Sequence, residues 1–150
     1  AIKTGPYGRC VYMCDNNVVD HQVVNMNMTD GSTITLTMSA FTATGSRYQK
    51  IMGTKGEIVA DLSEKTIKVT PFGKDTEVID ISKLATDFSG HAGGDNRMVE
   101  EFIDMIAEGK EPTNAVTSVE RSVESHYCAL AAEQSRLADG AVVDLDTLRK

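Results

Sequence analysis

Residues 33–40 alternate without a break: Ile34, Leu36, Met38 and Ala40 fall on one side of an extended chain, and Thr33, Thr35, Thr37 and Ser39 on the other. A period of two is the pattern of a half-buried strand, and a slip of one residue would turn every apolar side chain to water. The run before it alternates too, with Val24, Met26 and Met28 set against Val23, Asn25 and Asn27. Between the two lies Thr29-Asp30-Gly31-Ser32, whose Asp-Gly predicts a hairpin through a type I′ turn, with positive φ at both central residues.

More strands follow. Residues 47–52 and 57–61 flank Gly53-Thr54-Lys55-Gly56, and residues 66–70 and 77–81 flank Pro71-Phe72-Gly73-Lys74-Asp75, so an antiparallel meander is expected to about Ile81. After Ser82 the period changes to that of a helix. Met98, Val99, Phe102, Met105 and Ile106 share one stripe, with Asp95 placed as N-cap, Gly109 at the exit and Lys110-Glu111-Pro112 as the break. A second helix is expected from a capping box at Thr117-Ser118-Val119-Glu120 to Gly140, with Val119, Val123, Tyr127, Leu130 and Leu137 inward and a last short strand over 141–145. Strands first and helices afterwards predict an α+β domain: a large, mostly antiparallel open sheet with helices packed on one face. The threonine face, joined by Phe41 in the same parity, is left either to solvent or to a subunit interface.

Composition narrows the function. The 150 residues amount to one domain, and with 41% hydrophobic residues a single core needs no disulfide or metal staple. Fifteen basic against 22 acidic side chains give a net charge of −7, and no Lys/Arg cluster is present to neutralise phosphates. Nucleic acid is therefore excluded as a partner and anionic membrane surfaces are disfavoured. No apolar run approaches the ~20 residues of a membrane span. The opening Ala1-Ile2-Lys3-Thr4 is neither a signal peptide nor a start methionine, so the expectation is a soluble piece of something longer. Three cysteines cannot all pair with one another, which fits a reducing cytoplasm.

Reactive side chains are densest in Tyr7-Gly8-Arg9-Cys10-Val11-Tyr12-Met13-Cys14-Asp15, followed by Asp20 and His21. On a strand, Cys10 and Cys14 would stand about 13 Å apart at ~3.3 Å per residue, too far for one zinc or for a disulfide. Buried structural thiols are the resulting expectation. Arg9, beside two tyrosines and an aspartate, is suited either to gripping a polyol or carboxylate or to an ion pair with Asp15 or Asp20. His21 shares parity with Val19 and Val23 and reads as a hydrogen-bonded, partly buried histidine. Gly90-His91-Ala92-Gly93-Gly94-Asp95 is either a loop whose N–H groups converge on an anionic or hydroxyl-rich ligand or a mobile connection capped by Asp95. His126 reads as a core-edge residue, and Lys50 and Lys55 as solvated surface lysines. The chain has no Gly-x-Gly-x-x-Gly after a strand, no phosphate-binding Gly-x-x-x-x-Gly-Lys loop and no Gly-x-Ser-x-Gly elbow, hence no nucleotide site of its own.

Gly5-Pro6-Tyr7-Gly8-Arg9-Cys10-Val11-Tyr12 and residues 14–24 resemble the carboxy-terminal domain of the Gfo/Idh/MocA oxidoreductases, the glucose-fructose oxidoreductase and inositol dehydrogenase group. Residues 51–58 are similar to that family's hairpin, His91-Ala92-Gly93-Gly94-Asp95 to its His-x-Gly-Gly-Asp loop, and Ser125-His126 with residues 131–136 to its last long helix. The resemblance implies a substrate-binding and oligomerisation domain, inactive alone, of an enzyme that moves hydride between NAD or NADP and a sugar, cyclitol or related hydroxy compound. It places the cofactor mainly on an amino-terminal Rossmann domain absent from this chain and uses the open sheet face for a homodimer or homotetramer. The family's Glu-Lys-Pro lysine is not present, since Lys110-Glu111-Pro112 has the wrong order, so no catalytic residue carries over. Tyr7, Arg9, Tyr12, Asp15, His21, His91 and Asp95 are the implied substrate-side residues, with no metal ligand among them. A non-catalytic dimerisation or protein-interaction domain is the competing expectation.

Overall fold

A computed structural model describes residues 3–83, 91, 93–109 and 118–149, and the chain divides into two compact units, 1–45 and 46–150. The fold is α+β with two antiparallel sheets, one of two strands and one of four.

The first unit holds β1 (His21–Asn27) and β2 (Thr33–Ser39). Pairing sets Val24 against Leu36, Met26 against Ile34 and Gln22 against Met38, so the alternation in the sequence becomes one apolar face and one polar face. On the polar face Thr35 Oγ1 donates to Asn25 Oδ1 at 2.9 Å across the strands. The turn differs from expectation. Gly31 has φ +86 but Asp30 is not left-handed, and Gly31 N–H donates to Met28 O at 3.0 Å while Met28 N–H donates to Ser32 O at 2.9 Å. That is a three-residue loop closed by a left-handed glycine in place of type I′, and Asp30 Oδ1 secures it by accepting from Ser32 N–H at 2.9 Å and Ser32 Oγ at 2.7 Å. Phe41 lies beyond the end of β2 and is not part of its threonine face.

The second unit begins with the meander β3 (Tyr48–Gly53), β4 (Gly56–Asp61), β5 (Thr66–Pro71) and β6 (Glu77–Asp80), paired in sequence order. Its register collects Ile51, Ile58, Ala60, Ile67, Val69 and Ile79 on one face. The opposite face carries Lys50, Glu57, Lys68, Thr70 and Asp80, with Lys50 Nζ 2.9 Å from Glu57 Oε2. Asp-x-Ser ends two of the strands. Asp61 Oδ1 accepts from Ser63 N–H and Oγ at 2.9 and 2.6 Å, and Asp80 Oδ1 from Ser82 N–H and Oγ at 3.0 and 2.5 Å. The second of these turns Ile81 out of β6, where the sequence pattern had placed it, into a 3₁₀ turn, Ile81–Lys83.

Helix α1 spans Gly94–Glu108 and leaves through left-handed Gly109, whose N–H bonds Ile106 O and Met105 O. Its N-cap is Gly93 at φ +81; Asp95, expected as the cap, instead sits in the first turn, where its carboxylate takes a histidine. Helix α2 spans Val119–Leu137, capped by Ser118, whose side chain accepts from Arg121 N–H. The cap is one residue later than the expected box; Thr117, like Gly90, Ala92 and the Lys110-Glu111-Pro112 break, lies outside the described residues.

The inward face of α2 also departs from expectation. Val119, Leu130 and Leu137 are 75%, 55% and 69% exposed, whereas the covered stripe is Tyr127, Cys128, Ala131 and Ser135. The chain end returns to this helix. Residues 141–144, expected as a strand, gain no partner strand, and a 3₁₀ turn, Leu145–Thr147, follows. Arg149 holds that end to the helix, with Nε and Nη2 on Glu124 Oε1 and Oε2 at 3.1 and 2.6 Å and Nη1 on Asp146. The turn lies against this helix, a contact that an apolar-stripe reading does not anticipate. Among the described residues no helix is long and apolar enough to cross a membrane.

Candidate functional site

In the first unit the stretch 7–15 is not a strand. It folds as two 3₁₀ turns, Pro6–Gly8 and Val11–Met13, joined by extended Arg9 and Cys10. Arg9 staples the second turn: Nη1 donates to Asp15 Oδ1 at 3.1 Å and Nη2 to Met13 O at 2.9 Å. Of its two expected roles the geometry supplies the ion pair with Asp15, and two guanidinium nitrogens are engaged inside the loop. Tyr12 rests against Phe41 with ring centroids 5.9 Å apart, tying this loop to the segment after β2. Tyr7 is fully exposed. His21 opens β1 with Nδ1 2.5 Å from Asp20 Oδ1, but it is 85% exposed and not partly buried, because the first residue of a two-stranded ribbon has nothing above it. The thiols depart likewise from the buried expectation: Cys10 is exposed and Cys14 and Cys128 are half-buried.

In the second unit a shallow hollow of about 240 Å³ opens at the β3–β6 end of the apolar face, bordered by Arg47, Gln49, Asp61 and His91 above Ala60, Leu62, Ile67 and Ile81. His91 stands just before α1 at φ +42, a left-handed conformation that is uncommon for any residue with a Cβ. Its Nδ1 lies 2.9 Å from both Asp95 oxygens. A carboxylate on Nδ1 fixes the ring and leaves Nε2 as the nitrogen that meets a ligand. Asp61 borders the hollow from the other parity, since it pairs with Tyr48 and Thr66, and its Oδ1 accepts from Ser46, Ser63 and Glu64. The Ser63 hydroxyl, with help from the Ser63 and Glu64 N–H groups and the Ser46 hydroxyl, holds this carboxyl below the ordinary 3.8 against the opposing effect of burial. Arg47 makes no side-chain bond among the described residues.

This rim is mixed: a guanidinium, an amide and an imidazole over an aliphatic floor. Such a set matches a ligand with several hydroxyls and a C–H face. Of the expected site residues, His91 and Asp95 are brought together here, while Tyr7, Arg9, Tyr12, Asp15 and His21 lie in the other unit. Arg47, Gln49 and Asp61 were missed. Their signal was available in strand parity, since 47, 49 and 51 share a face, and in the Asp-x-Ser turn at 61–63.

Lys50 is engaged with Glu57, whose hydrogen bond and charge raise the ammonium above the ordinary 10.5 and suit it to a fixed cation more than a proton carrier. His126 is exposed, with Nδ1 2.7 Å from Ser122 O within its own helix. Among the described residues no three His, Cys, Asp or Glu side chains converge as metal ligands. Comparison with known proteins finds no family model, no curated protein and no solved structure that matches this chain.

Proposed function

We propose that this chain is the substrate-binding and oligomerisation domain of a cytoplasmic NAD(P)-dependent oxidoreductase acting on a sugar, cyclitol or related hydroxy compound. The observation that carries the reading is the hollow at the sheet end, which His91, oriented by Asp95, borders together with Arg47 and Gln49 above an aliphatic floor. Donors and acceptors interspersed over C–H-facing side chains are what a polyol requires. The likeness of residues 5–24 and of the His91–Asp95 loop to the Gfo/Idh/MocA carboxy-terminal domain agrees with it, and so does the missing nucleotide fingerprint. In this reading the dinucleotide sits on a Rossmann domain in polypeptide outside these residues, and the domain's role is to hold the substrate carbon for hydride transfer.

The reading entails a single large open sheet with helices on one face and a homodimer or homotetramer through the other. Supporting it are two sheets that each keep a continuous apolar face with exposed members, Ile34 and Leu36 in one and Ile51 and Ile58 in the other. The same exposure favours a second reading, a non-catalytic dimerisation or protein-interaction domain. Titration of the isotope-labelled chain with a panel of hexoses and cyclitols separates the two. Saturable amide shifts at Arg47, Gln49, Leu62, Ile81 and His91 are expected; their absence for every polyol favours the interaction domain.

A further inference from the structure

On a strand, Cys10 and Cys14 would be held apart; the structure does the opposite. The three residues between them form a 3₁₀ turn in which Met13 N–H donates to Cys10 O at 3.0 Å and Cys14 N–H to Val11 O at 3.3 Å. The turn carries the second thiol back over the first cysteine: Cys14 Sγ lies 3.4 Å from Cys10 O. A carbonyl oxygen is about 2.4 Å from its own Cα, so this sulfur is within about 6 Å of Cys10 Cα. Cys10 is exposed and its χ1 can turn, which lets its sulfur sweep toward the other. Arg9 keeps the ends of the turn together through Met13 O and Asp15.

We propose that Cys10 and Cys14 are a reversible dithiol–disulfide pair, oxidised by a low-molecular-weight disulfide of the glutathione type. The exposed Cys10 thiolate attacks one sulfur of the small disulfide, forming a mixed disulfide and releasing one small thiolate. The Cys14 thiolate then attacks Cys10 Sγ, the mixed bond breaks, and the second small thiolate leaves. Two protein thiols have been oxidised, one small disulfide has been reduced to two thiols, and the two cysteine protons end on the leaving sulfurs. Exposure puts the attacking group within reach of the oxidant, and the turn brings the resolving group to it. Closure fixes 9–15 as a rigid loop, and reduction returns it to the Arg9-stapled form.

The test equilibrates the 150-residue chain in glutathione buffers of rising oxidised fraction, in water and in concentrated urea. Free thiols are blocked with one alkylating reagent and, after reduction, newly released ones with a second. Trypsin places both cysteines in peptide 10–47 and Cys128 alone in 122–136, so the pair is read against an internal reference. Expected are joint protection of Cys10 and Cys14 without bound glutathione, at buffers that leave Cys128 free, and severalfold more closure in water than in urea. Cys14→Ser should trap glutathione on Cys10, and Arg9→Met should lower closure toward the urea level. Glutathione retained on both cysteines of the unaltered chain, a cross-link to peptide 122–136, or equal closure in water and urea would each overturn the proposal.

Discussion

Gly56 is the position where the four-stranded sheet leaves no room for a side chain. A Cβ built on it would stand 2.4 Å from Thr70 O and 2.8 Å from Pro71 Cα, both main-chain atoms of β5, and its φ is +156. Neither obstacle can rotate away, because both belong to the paired strand. Forcing a methyl into packed structure costs about 1–3 kcal/mol, and holding a residue with a Cβ in a region reserved for glycine costs a further ~1–3. Gly56→Ala should therefore destabilise the chain by roughly 3 kcal/mol, which at a urea slope of ~1–3 kcal/mol/M lowers the unfolding midpoint by about 1–3 M. Gly53, across the same hairpin, is the control. Its Cβ would meet only Gly56 O at 3.5 Å, an ordinary contact, so Gly53→Ala should be neutral or stabilising by about 0.5 kcal/mol. Urea unfolding of both variants, followed by far-ultraviolet circular dichroism, reads the difference directly. Equal midpoints would refute the close approach of β4 to β5 and with it the register that builds the apolar face.

Three other outcomes follow from the same geometry. Ser118→Ala removes the side-chain cap of α2 and should cost about 1 kcal/mol, read as faster amide exchange in the helix's first turn; unchanged exchange would move the cap elsewhere. Asp30, Asp61 and Asp80 each accept from a serine two residues on, which holds their carboxyls below the ordinary 3.8. The unfolded chain then binds more protons than the folded one, so their contribution is complete above 3.8 and is lost as pH falls below it. Replacing all three with asparagine should flatten the fall of the urea midpoint as pH is lowered from about 5 through the carboxylate range, and an unaltered slope would contradict the assignment. Thr35→Lys with Thr37→Lys should leave β1 and β2 paired but reduce self-association, since an unpaired charge resists burial; unchanged mass by light scattering would count against the polar face as an interface.

The strands were legible because period-two alternation fixes the face. Alternation put Val24, Met26, Ile34 and Leu36 on apolar sides, but the expected type I′ turn would set Val24 against Thr37; the three-residue loop is what brings Val24 opposite Leu36 and Met26 opposite Ile34. Turn chemistry was only half legible. Asp-Gly located the first hairpin, but positive φ at one residue in place of two is decided by how the left-handed Gly31 and the Asp30–Ser32 bonds share the reversal. The same Asp-x-Ser device recurs at 61–63 and 80–82, a local signal that propensity reading passes over and that explains why β6 stops before Ile81. Helix α2 misled because apolar bulk was taken to mean burial. The closing turn is held by Arg149 and Glu124, 25 positions apart, a pairing no local window contains. At the candidate site His91 and Asp95 were visible as a motif, whereas Arg47 and Gln49 reach the hollow only through strand parity.

In the proposed reading the electron carrier belongs to other polypeptide while these residues hold the substrate. The most direct test titrates NADH and NADPH into the 150-residue chain and into a longer gene product that contains it, following nicotinamide fluorescence. No saturable change is expected with this chain, and saturable binding of one dinucleotide by the longer protein. Saturable binding of either dinucleotide by these residues alone would contradict it.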